Sequence, residues 1–239
     1  MSTLTPTLLV TGASRGIGRA ICEKLLRQDC RVIGIARHSP AQEMAHQNLV
    51  LEALDLSRLD QLPEAVRALG KRFPAIDGII CNAGQGRFGS LEEFSPAQVR
   101  ALIDLNLTSQ ILLVREFLAA FKTRGRGDII FMGSESALAG GRKGAVYSAT
   151  KFGLRGLTQS LREECAGSGV RVGIINPGMV QSDFFNNLGF QPGDESDAHL
   201  LPSDVAEAVW LMLSARPGAA IDEINLSPQK KVIQFRKPS

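Results

Sequence analysis

The chain has 239 residues, 44% hydrophobic and 21% charged, which is enough apolar content for one substantial core; no linker-like stretch divides it, so a single domain over 1–239 is expected. A formal net charge of +3 is spread along the sequence without a basic run or interleaved aromatics, and this excludes a nucleic-acid-binding surface of the usual kind. The first apolar run begins near Thr7 and no apolar segment approaches the ~20 residues of a membrane span, so a soluble cytoplasmic protein without a membrane partner is expected.

Apolar runs of strand length alternate with stretches of helical period. The first, Thr7–Thr11, leads into Thr11-Gly12-Ala13-Ser14-Arg15-Gly16-Ile17-Gly18 and then the amphipathic set Ile21, Leu25 and Leu26, which predicts strand, glycine turn and helix. Further strands are predicted at Arg31–Ala36, followed by Arg37, and at Leu49–Leu54, followed by Asp55 and Leu56. A fourth, Ile76–Cys81, runs into Asn82-Ala83-Gly84, and a long helical stretch then carries Asn106. The fifth, Asp128–Gly133, is followed by Ser134, the loop Gly140-Gly141-Arg142-Lys143-Gly144 and a helix bearing Tyr147 and Lys151. The sixth, Val170–Asn176, exits through Pro177-Gly178-Met179-Val180-Gln181-Ser182, and Ile221–Leu226 is the seventh. Between these last two, residues 182–199 have weak periodicity and several breakers, which predicts a lid. Cys22, Cys30, Cys81 and Cys165 lack Cys-x-x-Cys spacing, so a metal site or disulfide framework is not expected and a reducing compartment fits.

Short apolar strands separated by helices predict a doubly wound, Rossmann-like α/β fold, with a parallel seven-stranded sheet covered on both faces. Such sheets bind ligands at the carboxyl ends of their strands, where Gly12, Asn82, Ser134 and Pro177 fall. Glycines in the first turn let backbone N–H groups and the positive end of a helix reach a pyrophosphate. No acidic residue ends the second strand to accept from a ribose 2′-hydroxyl; Arg37 stands there instead and Arg15 lies in the glycine turn, so two guanidiniums are available for a 2′-phosphate. NADP(H) is the expected cofactor. Tyr147 and Lys151, four residues apart, meet one turn later on a helix. A fixed cation beside a phenol favours phenolate, so the pair is expected to lower the tyrosine pKa and transfer protons.

Thr-Gly-x-x-x-Gly-x-Gly, Asn82-Ala83-Gly84, Ser134, Tyr147-x-x-x-Lys151 and Pro177-Gly178, in that order, resemble the short, single-domain branch of the short-chain dehydrogenase/reductase family, over nearly the whole chain. The resemblance implies an oxidoreductase that interconverts a carbonyl and an alcohol, with a cofactor half at about 1–133 and a catalytic half at about 134–239. It implies a substrate-orienting Ser134, with Ser136 as the substitute, a proton-transferring Tyr147, and a Lys151 that also holds the nicotinamide ribose. It further implies that Asn106 supports a proton relay, that Asp55 contacts adenine, with Leu56 beside it, and that Asn82, Ala83 and Gly84 lie beside the adenine-side ribose. Pro177, Gly178, Val180 and Ser182 then lie near the carboxamide, Ser182 replacing the more usual threonine. The long helices with Asn106 and Tyr147 imply a homodimer or homotetramer. Small ketones, aldehydes and 3-oxo or 3-hydroxy acids all remain open as substrates, with Arg87, Arg142 and Lys143 as candidate cationic borders. A 3-oxoacyl-carrier-protein reductase fits less well, because Ile224-Asn225-Leu226-Ser227-Pro228-Gln229 replaces a glycine-rich turn. A non-catalytic NADP-binding regulator fits less well again, because the full set of site residues is intact.

Overall fold

Parallel strands that are mostly apolar need cover on both faces, and the chain supplies it. The computed structural model describes residues 5–37 and 46–236. Its strands are β1 (Thr7–Thr11), β2 (Arg31–Ala36), β3 (Leu49–Ala53), β4 (Ile76–Cys81), β5 (Gly127–Met132), β6 (Val170–Pro177), β7 (Phe190–Pro192), β8 (Glu223–Leu226) and β9 (Ile233–Phe235). Seven form one parallel sheet in the order β3-β2-β1-β4-β5-β6-β8. The helices are α1 (Gly16–Arg27), α2 (Leu62–Arg72), α3 (Pro96–Ile103), α4 (Ser109–Arg124), α5 (Ala145–Cys165) and α6 (Pro202–Leu213).

Alternation along β1 divides the core. Leu8 and Val10 join Ile21 and Leu25 of α1 and Val205 and Val209 of α6 on one face, while Leu9 joins Leu62 of α2, Leu113 and Phe117 of α4 and Leu154 of α5 on the other. The result is three layers, as successive side chains of a strand point to opposite faces. The chain builds outward from β1 to β3, then returns to place β4 on the other side of β1. That reversal leaves a crevice beyond the carboxyl ends of β1 and β4, where Gly12 and Asn82 stand.

The seven strands lie where the sequence places them, with ends shifted by a residue or two: β6 runs on through Pro177 and β8 begins at Glu223. Two features depart from expectation. The long helical stretch around Asn106 is interrupted by a π turn at Asp104–Thr108 between α3 and α4. The segment 182–199 holds a short 3₁₀ turn, Asp183–Phe185, and β7, which pairs antiparallel with β9 in a second, two-stranded sheet. Among the described residues no helix is long and apolar enough to cross a membrane.

Candidate active site

At the carboxyl end of β1 the backbone turns through Gly12 and Gly16, both with positive φ (69° and 54°), a region that L side chains rarely occupy. Close packing adds to that demand: a Cβ on Gly18 would stand 2.1 Å from the Gly12 carbonyl oxygen. The turn is braced from β4. Thr11 Oγ1 accepts from the N–H groups of Asn82 and Ala83, both at 3.0 Å, and Asn82 Nδ2 donates to the Thr11 carbonyl at 2.9 Å. Asn82 therefore holds the two strand ends together.

A continuous cleft of about 1210 Å³ starts at this turn and is lined by Gly12, Ser14, Arg15, Gly16, Ile17 and Gly18. Arg37, Asp55 and Leu56 border the same end, and Asn82, Ala83 and Gly84 its middle. Ser57 fixes Asp55 through its hydroxyl (2.7 Å) and its N–H (3.0 Å), and these bonds, with the nearby Arg37 charge, hold the carboxyl below its usual range. Pro177, Gly178, Val180 and Ser182 line the cleft beyond β6. There Gly178 N–H donates to the Leu226 carbonyl at 2.8 Å, and Val180 bridges to Leu200. Arg15 reaches Asp183 of the 3₁₀ turn at 3.9 Å.

The far end of the cleft belongs to Ser134, Tyr147 and Lys151. Ser134 caps the turn after β5 by accepting from Ser136 N–H at 3.1 Å, and its hydroxyl lies close enough to the Tyr147 phenol to favour the phenolate. One helical turn on, Lys151 Nζ lies 5.6 Å from the centre of the tyrosine ring and donates to the Met132 carbonyl at 2.8 Å. Both side chains are buried, Tyr147 and Lys151 each 6% exposed. Burial has opposite consequences for them, because it disfavours whichever form is charged. The lysine is pushed down to about 8. The phenol is pushed up to about 12, with the Ser134 hydroxyl opposing and the Glu135 charge adding to the rise. Burial thus acts on the phenol in the direction opposite to the lowering expected from Lys151.

Asn106 alone of the expected residues lies behind the cleft wall, 1% exposed at the π turn. Its amide exchanges two 2.9 Å bonds with the backbone of Gln85, Oδ1 accepting from the N–H and Nδ2 donating to the carbonyl, and Nδ2 also reaches Thr150 Oγ1 at 3.4 Å. Thr150 in turn donates to the Tyr147 carbonyl at 2.7 Å. Sequence reasoning overlooked three supports. Gln110, fully buried, donates from Nε2 toward the carbonyls of Ala83 (3.1 Å) and Leu105 (3.2 Å), so it ties the loop after β4 to the π turn. Phe88 packs on Tyr147, ring centres 5.1 Å apart. Lys231 bonds Glu135 at 2.8 Å and joins the segment before β9 to the loop after β5. No local pattern marks these residues; each acts across a long sequence separation. Of the three suggested cationic borders, Arg142 and Lys143 line the cleft, whereas Arg87 does not and lies over the Phe94 ring at 5.8 Å.

The family model for short chain dehydrogenases matches residues 6–192. An uncharacterized oxidoreductase of Staphylococcus epidermidis is 28% identical over 225 residues, covering 92% of this chain and 96% of its own. Among solved structures, an alcohol dehydrogenase from the archaeon Thermococcus sibiricus, complexed with 5-hydroxy-NADP, is 27% identical with a TM-score of 0.85, covering 95% and 99% of the two chains. A metagenomic short-chain oxidoreductase in complex with NADP is 32% identical with a TM-score of 0.80, covering 95% and 99%. The match of the family model over most of the chain, with the glycine turn, the Ser134, Tyr147 and Lys151 cluster and the doubly wound sheet, makes this protein an oxidoreductase of the short-chain dehydrogenase family.

Proposed function

We propose that the protein is an NADP(H)-dependent oxidoreductase that interconverts a carbonyl compound and an alcohol, with Tyr147 as the general acid and base. The observation that carries this reading is the buried Tyr147 phenol, beside Ser134 and one helical turn from Lys151, in the same cleft as the glycine turn. The residues present fit the cofactor. Gly12, Gly16 and Gly18 line the cleft at the turn where a pyrophosphate would lie, the packing of Gly12 and Gly18 against Asn82 leaving no room for a Cβ on either, and Arg15 and Arg37 offer exposed guanidiniums at the end where a 2′-phosphate is expected. Two neighbours of similar fold bind NADP or a derivative of it. When bound, such a cofactor supplies or accepts a hydride.

The chain's own residues supply the rest. Ser134 donates a hydrogen bond to the carbonyl oxygen and so places it beside the phenol. With burial favouring its neutral form, the Tyr147 phenol carries a proton that it can give to the oxygen as reduction proceeds. The phenolate left behind is stabilised by the ammonium of Lys151. That lysine, at about 8, exchanges its own proton near neutrality and can restore the tyrosine. Asn106 and Thr150 keep the helix of Tyr147 in register with the loop after β4. Alcohol oxidation requires the phenol to lose its proton first, so its rate is expected to climb with pH while reduction does not.

The test is NADPH and NADH oxidation over ketones, aldehydes, 3-oxo acids and 3-oxoacyl thioesters, with Tyr147→Phe alongside. Removing the acid is expected to lower turnover by about 10²–10⁴-fold with NADPH binding retained. Tight NADPH binding without turnover of any substrate would replace this reading with a regulatory one.

A further inference from the structure

We infer that the substrate presents an apolar, ring-sized group beside its carbonyl and no carboxylate there; this deepens the carbonyl-reductase reading of Tyr147 and rests on it. The surroundings of the phenol are aromatic. Phe88, from the loop after β4, lies 5.1 Å from the Tyr147 ring, and Phe184, from the turn after β6, lies 6.1 Å from it. Phe190 of β7 meets Phe88 edge-on at 5.0 Å. Phe88, Phe184 and Phe190 are only half-buried and all line the cleft, so their remaining surface faces the space where a substrate must stand. The chain makes room for this arrangement, because a Cβ on Gly86 would lie 2.4 Å from Cζ of Phe184. Farther out the wall is Ile233 and Phe235 of β9, 42% and 81% exposed yet part of the cleft lining. Apolar groups from four separate segments thus converge on one volume, and offset or edge-on rings are the arrangement that accepts another ring.

The cations near this volume are committed or solvated. Lys231 is bonded to Glu135, the residue next to Ser134, and the buried ammonium of Lys151 donates to the Met132 carbonyl, so each of these cations already has a partner. Arg142 and Lys143 line the cleft but are exposed, where water weakens any pair they form. A carboxylate beside the reacting carbon would therefore lose its water to aromatic walls and find only cations that are already partnered or solvated.

The experiment compares reduction of acetophenone, propanone and 3-oxobutanoate by the NADPH-loaded protein. Alongside, NMR saturation transfer from the NADP⁺-loaded protein to the ring protons of 1-phenylethanol is measured. Acetophenone is expected to exceed 3-oxobutanoate in kcat/KM by at least about tenfold, a preference of the size hydrophobic pockets achieve. Phe88→Ala is expected to raise KM for acetophenone by about tenfold while that for propanone moves little, and to abolish saturation transfer. Phe235→Ser, at a position too exposed to affect folding, is expected to shift the same KM in the same direction by a smaller factor. Reduction of 3-oxobutanoate as fast as or faster than acetophenone would overturn the inference and leave the carbonyl-reductase reading standing. Saturation transfer that depends on Phe88, without turnover of any ketone, would uphold the aromatic pocket and overturn the reductase reading. Absence of both turnover and transfer would overturn both.

Discussion

Arg15 and Arg37 reach the cofactor end of the cleft from different strand ends, one in the glycine turn and one after β2, and both are exposed. Among the described residues neither has a strong partner: the contact of Arg15 with Asp183 spans 3.9 Å between two largely exposed side chains, and a pair of that kind contributes little. Their guanidiniums are thus available to a doubly charged phosphate, which they can grip with paired N–H bonds. Arg15→Ala and Arg37→Ala are each expected to weaken NADPH binding by about tenfold, the equivalent of roughly 1.4 kcal/mol, and to leave NADH binding nearly unchanged; calorimetric titration with both cofactors reads the difference, and parallel losses for the two would dispose of the assignment. These arginines were legible in the sequence because the position after β2 speaks through the absence of an acid. The state of Tyr147 was not. Spacing brings Lys151 close, but whether its charge or the loss of water governs the phenol depends on burial, and burial comes from residues such as Phe88 and Leu102 that are remote in sequence.

Among the elements, the parallel strands were readable because most are near-continuous apolar runs with cover on both faces. β7 and β9 were not, for identifiable reasons. Each has three residues, β7 contains Pro192, and they pair across about forty positions of chain, Phe190 opposite Phe235; neither has the length or alternation that announces a strand. Their sheet is reinforced from side chains, as Arg236 donates to the Asn186 carbonyl and to Gln191 Oε1. Pairing of β7 with β9 ties the segment 182–199 to the chain's last strand, so it is not a free loop. The π turn was equally hidden, since its extra residue leaves no trace in composition, although such turns concentrate at functional sites. The outer faces of α4 and α5 carry a different message. Ile111 and Phe152 stand 38% and 43% exposed there, and we propose that these helices pair with those of a second copy in a dimer or tetramer. Sedimentation is expected to show a species at least twice the chain mass that Ile111→Glu with Phe152→Glu dissociates; a monomer at all concentrations would exclude the assembly.

For the molecule as a whole, groups shifted by burial set how stability responds to alkali. Lys151 falls to about 8, so from there up to its ordinary value near 10.5 the unfolded chain holds a proton that the folded chain has released, and stability rises with pH. The four cysteines, all free and buried, act in the opposite sense. Burial lifts Cys22 to about 12 and Cys30 to about 11, and raises Cys81 and Cys165 as well, from an ordinary 9.0. Above about pH 9, therefore, the folded chain keeps protons that the unfolded chain sheds, and stability falls. Between about pH 8 and 9 the two effects oppose each other, and urea denaturation is expected to show a clear loss only at higher pH. Lys151→Met is expected to remove the lysine's contribution, on the order of 1 kcal/mol, and so to make stability fall already between about pH 8 and 9; a variant that follows the unsubstituted profile would show that the lysine keeps an ordinary pKa. Tyr147 lends itself to a more direct reading, because it is the only tyrosine among the 239 residues. Phenolate absorbance from this protein has a single source, so an optical titration reports the ionisation of one acid at the centre of one cleft, and a phenol-selective reagent labels that cleft and no other tyrosine.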